Sequence, residues 1–298
     1  MGRPRPGRGR SAGARRRRVR PTRRRVPVTP PATVDRPALG RPPALLVVPA
    51  VVAVVLLVLP LVGLVSRSPW TRLPELLGDP DVRSALVLSL GVATTTAVLC
   101  VLLGLPLAWL LARVEVPGKG VLRALVTVPL VLPPVVAGVA LLASLGRNGL
   151  LGAPLRETFG VTIPFTTTAV VLAHTFVALP FFVLSAEGAL RAAGREYDAV
   201  AATLGAGRWR AFRTVTLPLV LPGVLAGTLL AWARSLGEFG ATITFAGNYP
   251  GISQTMPLLV FEKLQREPEA AYATSLVLLA VSVLVLGLLR ERWLGALR

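Results

Sequence analysis

The sequence holds one cysteine and one histidine in 298 residues. Cys100 has no partner in the chain, which excludes an intramolecular disulfide and a cysteine-built metal site. His174 stands alone in an apolar run and reads as a hydrogen-bonding group inside a helical bundle, not as a ligand, so no metal site is expected. Charge is scarce as well: 16% of residues are charged, whereas soluble domains carry about a quarter. Also missing is a G-x-x-x-x-G-K-[ST] phosphate loop, since Gly118-Lys119-Gly120 lacks the spacing to cradle phosphates. Nucleotide hydrolysis is therefore not expected of this chain, and no cofactor is expected.

What is abundant is apolar: 53% of residues are hydrophobic and the mean hydropathy is +0.66. A net charge of +19 looks like a nucleic-acid signature until it is located. Residues 1–43 hold fourteen arginines and one acid, Asp35, which leaves +6 for the other 255 residues. That segment is rich in Arg, Pro and Gly and buries too little apolar surface to offset chain entropy, so a disordered cytoplasmic tail is expected over 1–43. For its run from Arg15 to Arg25, an orientation signal against anionic lipid headgroups fits best. Nucleic-acid binding lacks interleaved aromatics for stacking, and a cleaved signal peptide lacks a small-x-small site after an apolar stretch that is too long.

Six apolar runs are long enough to span a bilayer, and they predict an all-α, polytopic bundle of six transmembrane helices over 44–298. They are Ala44–Val65, a stretch within Ser84–Ala112, Ala124–Leu145 broken by Pro133-Pro134, Thr167–Leu184, Leu221 to about Phe245, and Ala271–Leu289. With the N-terminus inside, the cytoplasmic segments carry twenty-five Lys and Arg and the outer ones eight. The positive-inside rule then places both termini in the cytoplasm of a multi-pass cell-membrane protein.

The segment between the fourth and fifth runs, 187–218, has a pattern of its own. Ala199 to Leu204 are good helix formers, and Gly205 can provide the left-handed turn that ends a helix. Trp209, Phe212 and Val215 then recur every third residue between Arg208, Arg210 and Arg213, which predicts an amphipathic helix lying on the membrane face, with Pro218 and Pro222 setting the entry to the next span. Here the chain resembles the permeases of ABC importers, whose signature is E-A-A-x-x-x-G, nine residues, then I-x-L-P. Ala199-Val200-Ala201-Ala202-Thr203-Leu204-Gly205 is followed by nine residues and by Val215-Thr216-Leu217-Pro218. The chain departs at the acid, Asp198, one residue early, and at Val200 in place of an alanine. The resemblance implies a type I importer permease fold and a coupling helix that seats in a groove on a separate ATPase, with Asp198, Ala199, Ala201, Ala202, Gly205, Trp209, Leu217 and Pro218 as its residues. It further implies two ATPase subunits, a second copy of this chain, an extracytoplasmic oxyanion-binding protein and membrane lipids as partners.

A second stretch, Ala233 to Asn248 followed by Pro250 to Pro257, resembles the molybdate permeases and, less closely, those for sulfate and tungstate; Gly146-Arg147-Asn148-Gly149-Leu150-Leu151-Gly152 also resembles the molybdate branch. The implied function is ATP-driven molybdate import, with sulfate or tungstate import as the alternative and a non-ABC secondary transporter as the more distant one. Ser235, Thr242, Thr244 and Asn248 offer neutral donors to a tetrahedral dianion, and Gly237, Gly240 and Gly247 allow backbone N–H groups to approach closely. The same small residues equally suit helix packing. Arg234 and Glu238, one helical turn apart, read either as a self-neutralising pair facing the bundle or as a gate latch. A helix beginning near Gly223 would put Arg234 about 16 Å along it, near mid-bilayer.

Overall fold

A computed structural model describes Gly2, residues 44–115 and residues 117–296; for residues 44, 286 and 288–296 it describes the backbone alone. The expected disordered tail lies, Gly2 apart, outside the described residues. The chain divides into two compact units, Met1–Ala53 and Val54–Arg298, the first contributing the opening turns of helix α1 (Ala44–Arg67).

In the second unit a 3-10 turn, Trp70–Arg72, leads through α2 (Leu73–Gly78) to the 34-residue α3 (Pro80–Arg113). Next come α4 (Lys119–Val131), α5 (Pro134–Leu145), α6 (Gly152–Phe159) and α7 (Thr167–Ala192). Beyond α7 lie α8 (Glu196–Thr203), α9 (Arg208–Ala211), a π-turn over Phe212–Thr216 and α10 (Leu217–Leu236). The chain closes with α11 (Gly240–Phe245), α12 (Met256–Arg266) and α13 (Pro268–Ala296). No strand occurs among the described residues.

Local chemistry sets the helix starts. Pro80 at the first turn of α3 needs no donor there, and Asp79 accepts from the Asp81 N–H at 2.9 Å. Thr166 does the same for α7, its Oγ1 accepting from the Ala169 N–H at 3.1 Å. Lys263 on α12 donates to Asp79 at 2.7 Å, tying that cap to the other end of the chain.

Helices α3, α7 and α10 pack most extensively on one another and form the centre. Cys100, Ala108 and Leu111 of α3 meet Ala178, Phe182 and Ala186 of α7 and Val220, Val224 and Ala231 of α10. Small residues at this seam let the backbones close in, and dispersion between them does the work that water cannot do in lipid. A second cluster joins α5 and α11 to the first half of α7 through Ala137, Leu141, Ala173, Val177, Ala241 and Phe245. The outward side of α3 shows Val87, Val98, Leu102 and Leu103, an apolar exterior suited to acyl chains.

Five helical stretches among the described residues are long and apolar enough to cross a membrane, and six if α4 and α5 count as one span. The expected third span is not a rod: α4 and α5 bend by 119° where Leu132 and Pro133 interrupt them. A proline pair removes two N–H donors and bars the helical conformation before each ring. The fourth helix outruns its apolar stretch and continues to Ala192, so Glu187 belongs to α7 and the loop opens at Ala193.

The expected separate surface helix around Trp209 is instead continuous with the fifth span, Arg208–Leu236. The π-turn explains how. The Leu217 N–H reaches back to the Phe212 carbonyl, and this widened turn accommodates Pro218, which would otherwise crowd a carbonyl four residues earlier. The fifth span also ends sooner than its hydropathy suggests. Gly237, Glu238 and Phe239 break it, and α11 resumes beyond them, packed against α5.

Candidate functional site

Two sets of residues singled out in the sequence fall at opposite ends of α10. At its start, α8 is terminated by Gly205 at φ +79°, with the Gly205 N–H on the Ala202 carbonyl and the Ala206 N–H on the Ala201 carbonyl, both 3.0 Å. This pair of bonds is a Schellman closure, and the left-handed residue it requires is the one the spacing identified. A Cβ at Gly205 would meet nothing within 4 Å, so conformation, not space, selects glycine there. Ala201 is buried, whereas Tyr197, Val200 and Leu204 are exposed, Leu204 at 82%. Trp209, 72% exposed, stacks on Phe212 at 5.8 Å, and Phe212 meets Trp109 of α3 edge-on at 6.5 Å. The loop therefore presents an unpartnered apolar face while its other side is fastened to the bundle.

Asp198 provides that fastening. It accepts from the Thr216 hydroxyl at 2.5 Å and lies 3.5 Å from the Arg113 guanidinium at the end of α3. The acid displaced from the family signature thus ties α8 to both the π-turn and α3. Arg113 is nearly buried, and its Nε has no partner among the described residues. A cavity of about 360 Å³ lies between these elements, lined by Trp109, Arg113, Arg195, Asp198, Phe212 and Thr216 among others. Nearby, Glu187 of α7, 4% exposed, holds Arg123 of α4 and, at 2.9 Å, Arg191. Arg113, Thr216 and Arg123 were not singled out as site residues. Their one sequence signal is that each is polar at the end of an apolar helix.

At the far end of α10, Ser235, Glu238 and Thr242 are fully or almost fully buried, at 0%, 1% and 0% exposure. His174 joins two of them: its Nδ1 lies 2.7 Å from the Ser235 hydroxyl and its Nε2 2.8 Å from that of Thr242. The expected role of His174 as a bundle hydrogen-bonder is what the structure displays. Arg234 and Glu238 pair at 2.7 Å, and the second Glu238 oxygen accepts the Ala241 N–H at 2.8 Å. The helix start assumed for Arg234 needs correction, since α10 begins at Leu217 and not near Gly223. Arg234 stands in the last turn of α10, seventeen residues from Leu217, about 26 Å along the helix at ~1.5 Å per residue. There the C-terminal end of the helix dipole favours a cation.

The other expected path residues do not converge on this point. Thr244 donates to its own helix carbonyl at Gly240, 2.6 Å away. Asn248 donates to Glu262 on α12 at 3.1 Å, beside Gln254 at 2.8 Å from the same oxygen. Gly237 borders an apolar groove between Phe239, Phe261 and Leu278. Gly240 is a packing glycine, since a Cβ there would come 2.7 Å from Pro134. Gly247, at φ +72°, sits against Tyr249 and Phe165. Path and packing readings thus divide: the buried hydroxyls at 235 and 242 remain candidates for donors, while 240 and 244 are occupied in holding α11 to α5.

A proline-broken helical bundle with a helix–glycine–helix loop at one end and a buried polar knot at the other is the fold of an ABC transporter permease. Solved structures with this fold include a bacterial ABC transporter importing alginate (TM-score 0.67, 14% identity, 84% of this chain and 93% of that one). The inward-facing MetNI methionine transporter is another (TM-score 0.56, 16% identity, 72% and 95%). The chain belongs to the family described as binding-protein-dependent transport system inner membrane component, which matches residues 101–297. It is similar to the molybdenum transport system permease protein ModB of Mycobacterium tuberculosis, 51% identical over 80% of this chain and 89% of that protein. ModB of Escherichia coli K12 is 42% identical over 74% and 96%, and the sulfate transport system permease protein CysT of the same strain 37% over 78% and 84%.

Proposed function

We propose that this chain is the membrane-spanning subunit of a molybdate importer, working as a homodimer on two ATPase subunits and fed by an extracytoplasmic oxyanion-binding protein. Both termini lie in the cytoplasm, so that α8 faces the ATPase. The observation that carries the reading is the Gly205-closed α8 with Tyr197, Val200 and Leu204 exposed along it, in a chain 51% identical to a molybdenum permease. A short helix with an apolar outer face and a fixed inner attachment suits a socket on a partner. Asp198, Ala199, Ala201, Ala202, Gly205, Trp209, Leu217 and Pro218 form this coupling element, with Arg113 and Thr216 as its anchors in the bundle.

The path runs along the polar residues near the end of α10. Neutral hydroxyl donors at Ser235 and Thr242 can replace part of the hydration of a tetrahedral dianion without trapping it, as fixed cations would. Arg234, already neutralised by Glu238, adds little net attraction. Two copies of the chain would enclose this path against lipid.

The test is ATP-driven uptake into vesicles by the purified complex of this chain with its ATPase and binding protein. Molybdate uptake, competed by tungstate and weakly by sulfate, is the expected result. Uptake of sulfate that excess molybdate leaves unchanged would overturn the molybdate assignment in favour of the sulfate one. Likewise, purification with a different permease in place of a second copy would overturn the homodimer.

A further inference from the structure

We infer that His174 is a positioning residue of the translocation path: it holds the Ser235 and Thr242 hydroxyls across the break in the fifth span, and its withdrawal frees both to contact the passing oxyanion. The inference rests on the importer reading above.

The argument begins with how hydroxyls in these helices are satisfied. Thr175, Thr228, Thr244 and Thr274 each donate to a carbonyl four residues back on their own helix, at 2.6–2.8 Å. Such a hydroxyl is occupied wherever its helix goes. Ser235 and Thr242 make no such bond; their hydroxyls bond to the His174 ring. A neutral imidazole has one N–H and one lone pair, so it accepts from one hydroxyl and donates to the other. With the ring 2% exposed and Ser235 and Thr242 at 0%, the three groups meet away from the surface.

Position supplies the second half. Ser235 lies in the last turn of α10 and Thr242 in α11, with the break at Gly237, Glu238 and Phe239 between them, while His174 comes from α7. The ring therefore pins two helix segments that meet at a joint. Glu238 bridges the same joint from within, through Arg234 on one side and the Ala241 N–H on the other. Movement of α11 relative to α7 and α10 breaks the imidazole tie to Thr242, which stands only two residues into α11 and has no carbonyl four residues back in its own helix. A dianion is the partner chemistry that such donors suit.

Two readouts test this, one of which needs no transported ion. In a Cys100→Ala background, Ser235→Cys is treated with a small methanethiosulfonate in the complete complex. With the thiol standing where the Ser235 hydroxyl meets the ring, removing the ring in His174→Leu is expected to raise its labelling rate about tenfold. His174→Gln, whose amide both donates and accepts, should leave the rate near that of the parent. Equal labelling in all three backgrounds overturns the inference. In vesicles, His174→Leu should cut oxyanion uptake about tenfold and raise oxyanion-independent ATPase, with His174→Gln within about threefold of the parent. A His174→Gln as impaired as His174→Leu would mean a purely steric role. Should His174→Leu fail to insert, Ser235→Ala and Thr242→Val take its place, and unchanged uptake in both overturns the proposal. If the parent complex carries no oxyanion, the importer reading fails while the labelling result still judges the joint.

Discussion

Arg234 Nη1 lies 2.7 Å from Glu238 Oε2, and the two side chains differ sharply in exposure, 28% against 1%. The carboxylate is the committed member. One oxygen faces the guanidinium in a charge contact that is not an aligned hydrogen bond, and the other caps α11 through the Ala241 N–H. The pair therefore neutralises a buried acid and at the same time links the two sides of the break.

Glu238→Ala should be more harmful than Glu238→Gln. Alanine leaves the cation and the α11 N–H unmet, whereas glutamine keeps an acceptor for Ala241. Breaking a buried pair by removing one partner costs about 3–5 kcal/mol, and with Arg234 partly exposed a loss of ~2 kcal/mol is expected for alanine. Thermal unfolding of the purified protein in detergent checks the order, and a Glu238→Gln that melts below Glu238→Ala would remove the capping role. Arg234→Met combined with Glu238→Leu should be milder than Glu238→Ala, because no charge is then left buried.

Gly205→Val is expected to insert normally and to lose substrate-stimulated ATPase and uptake. The open space around a Cβ at this position means that the whole effect comes from φ, at a cost of about 1–2 kcal/mol. Gly205→Asn tolerates the left-handed region and should retain most activity. Paired measurements of membrane insertion and stimulated ATPase decide the matter: wild-type coupling in the valine variant would remove α8 from the coupling role.

Much of this was legible in the sequence, and the reasons differ by feature. Gly205 could be read because a helix stop is local chemistry: good helix formers followed by a glycine. Arg234 and Glu238 could be paired because four residues make one turn. The break at Gly237–Phe239 was not legible, since three residues inside an apolar run barely alter its hydropathy, and the placement of α11 depends on its packing against α5. Pro218 misled for a related reason. A proline marks a helix start in isolation, but here a π-turn carries the helix through it. The ties from Asp198 to Arg113 and from His174 to Thr242 join residues far apart in the chain, and such convergence is a property of packing that periodicity does not encode.

Asp198 is expected to matter more than its displaced place in the signature suggests. Asp198→Ala releases Thr216 and leaves nearly buried Arg113 without a counter-charge. Coupling should fall several-fold, and Asp198→Asn, which can still accept from Thr216, should lie between. The discriminating measurement is the ratio of molybdate transported to ATP hydrolysed. Should Asp198→Ala leave that ratio unchanged, the fastening of α8 to α3 and the π-turn would be dispensable for coupling.

The Asp79–Lys263 contact gives the fold a predictable acid limb. The Lys263 ammonium, hydrogen-bonded at 2.7 Å, holds the Asp79 carboxyl below its ordinary 3.8, with the Asp81 N–H assisting and burial opposing. A carboxyl whose folded value is depressed binds its proton less readily in the folded state than in the unfolded one. Its stabilisation is therefore fully present above the unfolded value and is lost as pH falls through the folded value. Around neutrality this contact should not titrate at all, and the loss should begin near pH 4 and continue below it. Asp79→Asn keeps an oxygen for the Asp81 N–H but loses the charge, so it should melt lower than the parent at pH 7 and converge with it in acid. Melting curves of the two proteins from pH 7 to pH 3 provide the check. Equal melting of the two proteins across that range would show that Asp79 contributes through its cap on α3, which asparagine keeps, and not through Lys263.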